Sequence, residues 1–325
     1  MVTPEEIARA VAVLKGGGLV AFPTETVYGL GADAANPAAV ARIYAAKGRP
    51  AHHPLIVHVA DAVQLALWAR EVPAAAHALA KAFWPGPLTL ILKRAAGVHP
   101  AVTGGQDTVA LRVPSHPVAL SLLRAFGGGI AAPSANRFGR VSATTAEHVR
   151  REFGDAVGCV LDGGACDFGI ESTIVDLSRR EPALLRPGHI TAAQLETVLG
   201  ARLAAADAAA PRAPGMLAKH YAPQTPVMLM EGDLIGELAA SFARQGRRAA
   251  VLARASRQPL LPGLVWIAAP AEPVAYAHDL YANLRRLDDA GCEAILVEEP
   301  PTTSEWAAVR DRLQRAAAGS GEEET

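Results

Sequence analysis

Residues 22–58 constrain the fold of this chain more than any other segment. An apolar strand ends at Phe22 and is followed by Pro-Thr-Glu-Thr-Val-Tyr-Gly-Leu-Gly, which groups hydroxyls, one acid and two glycines. A short helical segment then leads to two cations, Lys47 and Arg49, and a second apolar strand ends at His58. Hydroxyl donors, flexible backbone and fixed positive charge at neighbouring strand ends indicate a site for a small polar substrate and a polyphosphate.

The composition predicts a folded protein with two domains. The chain has 325 residues, of which 50% are hydrophobic and 19% charged, and single cores stop growing near ~250–300 residues. A formal net charge of −1 argues against a protein that coats nucleic acid or an anionic membrane with its whole surface. Three dispersed cysteines do not form a disulfide or zinc pattern. Without a signal-peptide pattern or a membrane-spanning apolar run, we expect a cytoplasmic protein with no membrane association.

Alternating strands and helices, broken by Gly and Pro, predict a mixed α/β domain over residues 1–203. The helices expected within it include two around 62–70 and 74–83. The Pro-rich segment 204–225 is predicted to be a linker. Residues 226–325 again alternate strand and helix, which predicts a smaller, parallel, Rossmann-like α/β domain with a disordered tail at 319–325.

Several candidate site residues have both a structural and a functional interpretation. Pro23–Gly31 fits a glycine-rich turn, with Thr24 and Thr26 satisfying loop backbone, as well as it fits a binding loop. Lys47 and Arg49 fit either an ordinary cationic helix end or a phosphate site, where arginine makes forked contacts. Arg112 alternates with apolar residues in a predicted strand, so it either faces solvent or neutralises a buried anion. These alternatives stay open at the level of sequence.

Small hydroxyl residues recur where further strands end. They occur in Pro133-Ser-Ala-Asn136 and Glu171-Ser-Thr173, and Arg186 follows another predicted strand. Strand ends of one α/β sheet usually share a ligand crevice, so we expect these residues to line the same site. The chain has no Walker A, GxSxG or HExxH sequence, and the adjacent His52 and His53 are its one candidate for a metal-binding pair.

Together these motifs resemble the Sua5/YrdC/YciO family, and the two-domain length resembles its Sua5 branch. The resemblance implies a YrdC-like domain, with a twisted mixed sheet and flanking helices, followed by a Sua5 C-terminal domain. It implies a nucleotidyltransferase that converts L-threonine, bicarbonate or carbon dioxide and ATP into threonylcarbamoyl-AMP and pyrophosphate, for the t6A modification at position 37 of ANN-decoding tRNAs. The matching segments are FPTETVYGLGADA (22–34), KGRP with PLIVH (47–58), ALRVP (110–114), APSAN (132–136), ESTIVD (171–176), LRPG (185–188) and PGM with HYAP (214–223).

The resemblance also implies roles for individual residues. Lys47 and Arg49 would stabilise the charge that develops during catalysis, together with the Mg²⁺ that is bound to ATP. Lys47 would face the phosphates, and the linker would fold over the site as a lid with Tyr221 as its contact. The residues expected to hold threonine are Thr26, His58, Arg112, Ala132 and Ser172. The residues expected to surround the nucleotide are Arg49, His53, Thr108, Ser134, Ser142 and Arg186.

The sequence departs from the family pattern beside Arg49. Many relatives have a serine two residues after this arginine and an asparagine or lysine two further on, where this chain has Ala51 and His53. A neutral imidazole still donates one hydrogen bond, so we interpret the change as an adjustment of phosphate binding.

Two other functions fit parts of the pattern. The first is a non-catalytic RNA-binding or ribosome-maturation factor of the YrdC type, for which Lys47, Arg49, Arg137 and Arg140 would form the groove. The second is carbamoyl adenylation in hydrogenase maturation, although the zinc motifs of that larger family are absent here. For the enzyme, a downstream t6A transferase complex is the expected partner, with tRNA as a further contact.

Overall fold

The computed structural model describes residues 2–261 and 263–320, and the chain divides into two compact units. The first comprises the residues up to Phe138 together with Ser142–Met216, and the second comprises Gly139–Val141 and the residues from Leu217 onward. The division after Met216 falls within the predicted linker, 204–225. Of the tail predicted to be disordered, 321–325 lie outside the described residues, whereas Gly319 ends the last helix.

Ten strands of the first unit form one mixed sheet. They are β1 (Val20–Phe22), β2 (Gly29–Asp33), β3 (Ile56–His58), β4 (Leu88–Lys93), β5 (Thr108–Arg112), β6 (Ile130–Ala131), β7 (Cys159–Val160), β8 (Thr173–Asp176), β9 (Ala183–Arg186) and β10 (Ala204–Ala205). Their order across the sheet is β10-β9-β8-β4-β5-β3-β6-β2-β1-β7. The pairs β3–β5 and β4–β8 are parallel, whereas β4–β5 and β1–β2 are antiparallel. This confirms the predicted mixed sheet.

Several helices of the first unit begin at residues that the capping rules favour. Thr3 and Thr191 form capping boxes, and Asn36 caps its helix with a side-chain oxygen followed by proline at the first helical position. The helices are α1 (Pro4–Lys15), α2 (Pro37–Lys47), α3 (Leu65–Trp68), α4 (Ala74–Phe83), α5 (Pro100–Thr103), α6 (Pro117–Phe126), α7 (Ala146–Phe153) and α8 (Ala192–Leu199).

Apolar side chains cover both faces of the sheet, as the alternation along β1 illustrates. Val20 and Phe22 belong to a cluster with residues of α1 and α6, whereas Ala21 between them belongs to a larger cluster with residues of α2, α4 and α8. Successive strand residues point to opposite faces, so each face of β1 has its own helical cover. A third cluster joins Ile56, Ala110 and other strand residues to Ala213 and Met216. The part of the predicted linker that holds Ala213 and Met216 therefore packs on the core of the first unit.

Two local expectations differ from the structure. The segment taken as a turn, Pro23–Gly31, already contains the start of β2, because Gly29 pairs with Phe22 of β1. The helix expected around 62–70 is a 3₁₀ turn at Ala62–Gln64 followed by the single-turn α3. α3 does not continue to residue 70, because Ala69 pairs with Arg94 in an isolated β-bridge. This tertiary pairing overrides helix propensity at Ala69.

The second unit is a parallel four-stranded sheet with helices, as predicted. Its strands are β11 (Val227–Met230), β12 (Ala249–Ala253), β13 (Val265–Ala268) and β14 (Ala294–Glu298), in the order β11-β14-β12-β13. Its helices are α9 (Gly232–Arg244), α10 (Pro273–Asp288) and α11 (Ala307–Gly319). At the end of β14 the buried Glu298 accepts backbone N–H bonds from Arg254, Ala255 and Ser256 at 2.8–3.0 Å. These hydrogen bonds lower the pKa of Glu298, whereas burial raises it.

Candidate functional site

The candidate site lies on one face of the first unit's sheet, where apolar strand positions give way to polar ones. Ile56 and Ala110 belong to the same apolar cluster, and two residues further along the same strands stand His58 and Arg112. Because alternate residues of a strand share a face, both polar side chains continue the face of that cluster. His58 and Arg112 are also register partners between β3 and β5, so they stand side by side.

Arg112 is buried at the end of β5 and contacts two residues of the 22–31 segment. Its Nη1 donates a hydrogen bond to Thr26 Oγ1 at 2.9 Å, and its Nη2 lies 2.8 Å from Glu25 Oε1. Arg112 is 3% exposed and Glu25 1% exposed. Of the two interpretations left open by the sequence, the structure therefore supports a buried anion beside Arg112 and not a solvent-facing cation.

The sequence allowed two roles for the threonines of the 22–31 segment, satisfying loop backbone or lining a site, and the structure gives a different one to each. Thr24 satisfies the loop, because its Oγ1 donates to Val27 O at 2.6 Å and accepts from the backbone N–H groups of Thr26 and Val27 at 3.2 Å. The hydroxyl of Thr26 instead accepts a hydrogen bond from the Arg112 guanidinium. The hydroxyl oxygens of Thr24 and Thr26 lie 2.8 Å apart. Thr24 therefore fixes the conformation that presents Thr26 to the site.

His58 is buried beside Arg112 and is neutral at physiological pH. The pKa of His58 is lowered to about 3, mainly by burial and secondly by the positive charge of Arg112. The edge of its ring meets Phe22 with the ring centroids 6.0 Å apart. Its Nδ1 is buried without a hydrogen-bond partner among the described residues. A neutral imidazole in this place can donate or accept one hydrogen bond with a ligand.

Ser172 belongs to the same face through a residue that the sequence analysis missed, Thr89. The Oγ1 of Thr89 and the Oγ of Ser172 lie 2.8 Å apart. Leu90 of β4 pairs with Leu111 of β5, so the next residues of these antiparallel strands, Thr89 and Arg112, are neighbours. Thr89 thus links Ser172 to the Arg112 end of the site. A single threonine in an apolar strand gave no signal for this role.

Arg186 is fixed by backbone groups on both sides. Its Nε and Nη2 donate to Ser172 O at 3.1 and 2.9 Å, and its Nη1 donates to Pro214 O at 2.8 Å. Its Nη2 also lies 3.2 Å from Ser172 Oγ. The guanidinium therefore joins the end of β9 to the start of β8 and to the chain after β10.

Lys47 and Arg49 are buried, so they are not an ordinary solvent-facing helix end. Gly48 between them adopts a left-handed conformation (φ 65°) that ends α2 and turns the chain. Lys47 Nζ donates to the carbonyl oxygens of Ser134, at 2.6 Å, and of Asn136. Burial and the neighbouring Arg49 hold the pKa of Lys47 well below its usual range. A polyanionic ligand would compensate two such cations and favour the charged form of the lysine.

Phe138, which the sequence analysis did not single out, lies between two predicted nucleotide-binding residues. The guanidinium carbon of Arg49 lies 5.6 Å from the centre of its ring, and the His53 ring lies 5.4 Å away. Its backbone N–H bonds to Lys47 O at 2.8 Å. Partial burial, and next the charge of Arg49, lower the pKa of His53 to about 4, so its ring is neutral at pH 7. An aromatic ring with an adjacent arginine suits a flat, conjugated ligand group.

The remaining predicted residues occupy different places. Ala132 is held by a 2.9 Å hydrogen bond from its N–H to Ile56 O, which puts its backbone beside β3. Ser142 is buried and donates from its hydroxyl to the Glu171 carboxylate. Thr108 begins β5, four residues before Arg112, and four residues of strand span about 13 Å. Thr108 therefore lies well apart from Arg112, whereas Arg186, which belongs to the same predicted nucleotide set, contacts Ser172 of the predicted threonine set.

Tyr221, the predicted lid contact, belongs to the second unit. It has a positive φ of 61°, and its ring stacks on Tyr281 with centroids 5.7 Å apart. The Arg312 guanidinium carbon lies 5.3 Å from the centre of the Tyr221 ring. Nothing within the second unit tests whether Tyr221 contacts a substrate, so that role stays a prediction.

Within residues 2–261 and 263–320, no three or more His, Cys, Asp or Glu side chains are placed to hold a metal ion together. No helix in these ranges has both the length and the apolar character needed to cross a bilayer.

Comparison with known proteins identifies related sequences along both units. A family model described as Telomere recombination, for Sua5, YciO and YrdC, matches residues 12–188. A second, described as Threonylcarbamoyl-AMP synthase, C-terminal domain, matches residues 190–318. The chain is similar to threonylcarbamoyl-AMP synthases of Pyrococcus abyssi (42% identity, covering 96% of this chain and 94% of the relative) and Bacillus subtilis (42%, 97% and 93%).

A solved structure supports the fold over the same length. The crystal structure of P. abyssi Sua5 complexed with L-threonine superposes with a TM-score of 0.90 and 40% sequence identity. The match covers 97% of this chain and 96% of the other. The similarity therefore extends over both units.

Proposed function

The chain belongs to the Sua5/YciO/YrdC family, and from this premise we propose that it is a threonylcarbamoyl-AMP synthase. It would convert L-threonine, bicarbonate or carbon dioxide and ATP into threonylcarbamoyl-AMP and pyrophosphate. The observation that carries the proposal is the buried end of β5, where Arg112, Thr26 and His58 meet. A buried guanidinium among hydroxyl and imidazole groups suits a small molecule with a carboxylate and a hydroxyl.

Threonine binds on the face that ends in His58 and Arg112. Arg112 pairs with its carboxylate, since a guanidinium matches the two oxygens of a carboxylate in geometry and charge. The hydroxyl of Thr26, the neutral ring of His58 and the hydroxyl of Ser172 orient the rest of the substrate, with the backbone of Ala132 beside them. The complex of P. abyssi Sua5 with L-threonine supports this choice of ligand.

ATP binds at the cationic end of α2 and the polar loops that contact it. Lys47 and Arg49 attract the phosphates, His53 donates one hydrogen bond, and Phe138 offers a ring to the base. Mg²⁺ enters with ATP as part of the substrate and offsets the charge of the phosphates. The other residues of this set are Thr108, Ser134, Ser142 and Arg186.

The chemistry requires little covalent participation by the protein. The neutral amine of threonine adds to carbon dioxide, forms a carbon–nitrogen bond and loses one proton to give a carbamate. A carbamate oxygen then attacks the α-phosphorus of ATP, and the bond between this phosphorus and the oxygen of the β-phosphate breaks to release pyrophosphate. Lys47 and Arg49 stabilise the charge that develops, and the buried site aligns the reactants and excludes water.

Threonylcarbamoyl-AMP is a reactive mixed anhydride, so a further enzyme must take it up. We propose a t6A transferase complex of the cytoplasm as this partner and tRNA as the final acceptor. The lid role of the linker, with Tyr221 as the contact, belongs to the same proposal. It would keep water from the carbamate until the adenylate has formed.

Pyrophosphate release tests the function directly. Purified protein is incubated with ATP, Mg²⁺ and bicarbonate, with or without L-threonine, and with serine and alanine as control amino acids. We expect pyrophosphate only when threonine and bicarbonate are both present, and a product with the mass of threonylcarbamoyl-AMP. Nuclease-free protein that releases no pyrophosphate but binds RNA would instead support the RNA-binding function.

A further inference from the structure

Glu25 is a buried carboxylate whose hydrogen-bonding capacity is unused. It is 1% exposed, and neither Oε1 nor Oε2 has a hydrogen-bond partner among the described residues. Oε1 lies 2.8 Å from Arg112 Nη2, close enough for an ion pair, but without the direction of a hydrogen bond. The carboxylate thus has one nearby positive charge and no donor. A buried carboxylate that accepts no hydrogen bond is costly, because the loss of its hydration is not fully compensated.

Among residues 2–261 and 263–320, the ion-pair partner of Glu25 is Arg112. Its backbone oxygen accepts a hydrogen bond from Phe168 N–H at 2.8 Å, which brings the 166–168 segment against it. The groups that interact with Glu25 electrostatically from neighbouring elements are Arg112, His116 and Cys166, and Asp167 acts on the same His116 and Cys166. Burial lowers the pKa of His116 and raises that of Cys166, so both are uncharged at neutral pH. Arg112 is therefore the cation that Glu25 meets in this cluster.

We infer that Glu25 binds the α-ammonium group of the amino-acid substrate and accepts a proton from it. The inference rests on the proposed function. Arg112 contacts both Thr26 and Glu25, and it is the group proposed to bind the substrate carboxylate. The ammonium and carboxylate of an α-amino acid are joined through one carbon atom. A carboxylate held by Arg112 therefore brings the ammonium within reach of Glu25, which supplies a negatively charged acceptor for it.

The proton transfer is needed because, at neutral pH, the substrate amine is protonated and cannot react with carbon dioxide. The amine of free threonine is protonated, and an ammonium has no lone pair with which to form the carbon–nitrogen bond. Glu25 takes one proton from the ammonium and becomes a neutral acid, while threonine becomes the free amine. The amine adds to carbon dioxide, and the proton lost in forming the carbamate passes to solvent. Glu25 returns its proton to solvent after the product leaves, so charge and atoms balance over the cycle.

The test compares E25Q with wild-type protein over a range of pH. Turnover is measured by pyrophosphate release between about pH 6.5 and 9.5, with saturating threonine and ATP and with dissolved carbon dioxide held constant. We expect E25Q to reduce kcat at pH 7 by about 100-fold or more, the usual contribution of a positioned base. Its kcat should rise about tenfold per pH unit as free amine accumulates, whereas the wild-type profile is flatter. KM for threonine should change less than kcat, because the amide oxygen still accepts from the ammonium.

Two variants separate proton transfer from a structural role. E25D keeps a carboxylate and should restore a flat profile at reduced kcat. E171Q neutralises another buried glutamate, the one that accepts from Ser142, and should change the ATP requirement without steepening the profile. Thermal melting shows whether each variant is folded.

The possible results separate the inference from the proposed function. A steep profile that appears in E25Q and not in E25D supports it. An E25Q variant that is folded and keeps the wild-type profile, or an E25D variant as steep as E25Q, overturns it. Absence of threonine-dependent pyrophosphate release in the wild-type protein would instead refute the proposed function itself.

Discussion

Individual residues of the site differ in how their charges are compensated. The Arg112 guanidinium lies beside the Glu25 carboxylate, whereas Lys47 donates to carbonyl oxygens, which carry only partial charge. Breaking a buried ion pair by removing one partner costs about 3–5 kcal/mol, because the remaining charge is left uncompensated. Arg112→Ala would therefore lower both stability and activity. A substitution that keeps the positive charge isolates the role in substrate binding.

Arg112→Lys is predicted to weaken threonine use selectively. Lysine keeps a cation near Glu25 but loses the fork that matches a carboxylate, so KM for threonine should rise by about 10- to 100-fold while KM for ATP changes little. Steady-state kinetics with each substrate varied in turn measures both values. Arg49→Lys is the matched control and should act mainly on KM for ATP, because Arg49 contacts Pro54 O and the Phe138 ring. Equal effects of Arg112→Lys on both substrates would refute the assignment of Arg112.

At the scale of elements, the loop between β9 and α8 approaches the start of β8 very closely. A Cβ atom at Gly188 would lie 2.4 Å from Thr173 N and 2.8 Å from Ser172 C, both of which are backbone atoms. Arg186, two residues earlier, donates to the carbonyl of Ser172. The absence of a side chain at Gly188 therefore sets the distance between the ends of β8 and β9, and with it the positions of Ser172 and Arg186.

Gly188→Ala is predicted to destabilise the protein and to disturb both substrates. Overpacking against backbone costs about 1–3 kcal/mol, since the contact can be relieved only by separating the strand ends. Gly97→Ala is a suitable control, because a Cβ there would meet nothing within 4 Å and the residue is exposed. Denaturant unfolding measures the two free energies, and kinetics measures the two KM values. A Gly188→Ala variant as stable as Gly97→Ala would contradict the close approach.

At the scale of the whole molecule, the boundary between the units does not coincide with the start of the Pro-rich segment. Ala213 and Met216 pack in an apolar cluster of the first unit, and Pro214 O accepts from Arg186. Gln106 holds the same segment through two hydrogen bonds to the backbone of Arg212, at 2.7 and 3.0 Å. The segment up to Met216 therefore completes the first unit.

Two truncations are predicted to differ in stability. A chain of residues 1–216 should unfold with a free energy higher by at least about 2 kcal/mol than one of residues 1–207, because it keeps the Arg186 hydrogen bond and the burial of Ala213 and Met216. Chemical denaturation of both measures the difference. Equal stabilities would contradict the assignment of residues 208–216 to the first unit.

The same truncations test the predicted lid, because both lack Tyr221. Turnover of residues 1–216 is expected to fall well below that of the full chain. Undiminished turnover would count against a lid role for the linker and Tyr221.

The sequence by itself determined the two α/β units, most strand positions and the polar strand ends that form the site. These follow from short-range physics: apolar runs form strands, capping residues bound helices, and Gly or Pro interrupts both. The order of the sheet and the register of its strands depend on contacts between distant residues. Thr89 and Ser172 meet because β4 pairs with β8, and Arg112 and Glu25 meet because β5 presents its end to the 22–31 segment. Tertiary structure therefore decided that Glu25 is buried without a hydrogen-bond donor, that Thr89 lies beside Ser172 and Arg112 and that Phe138 lies between Arg49 and His53.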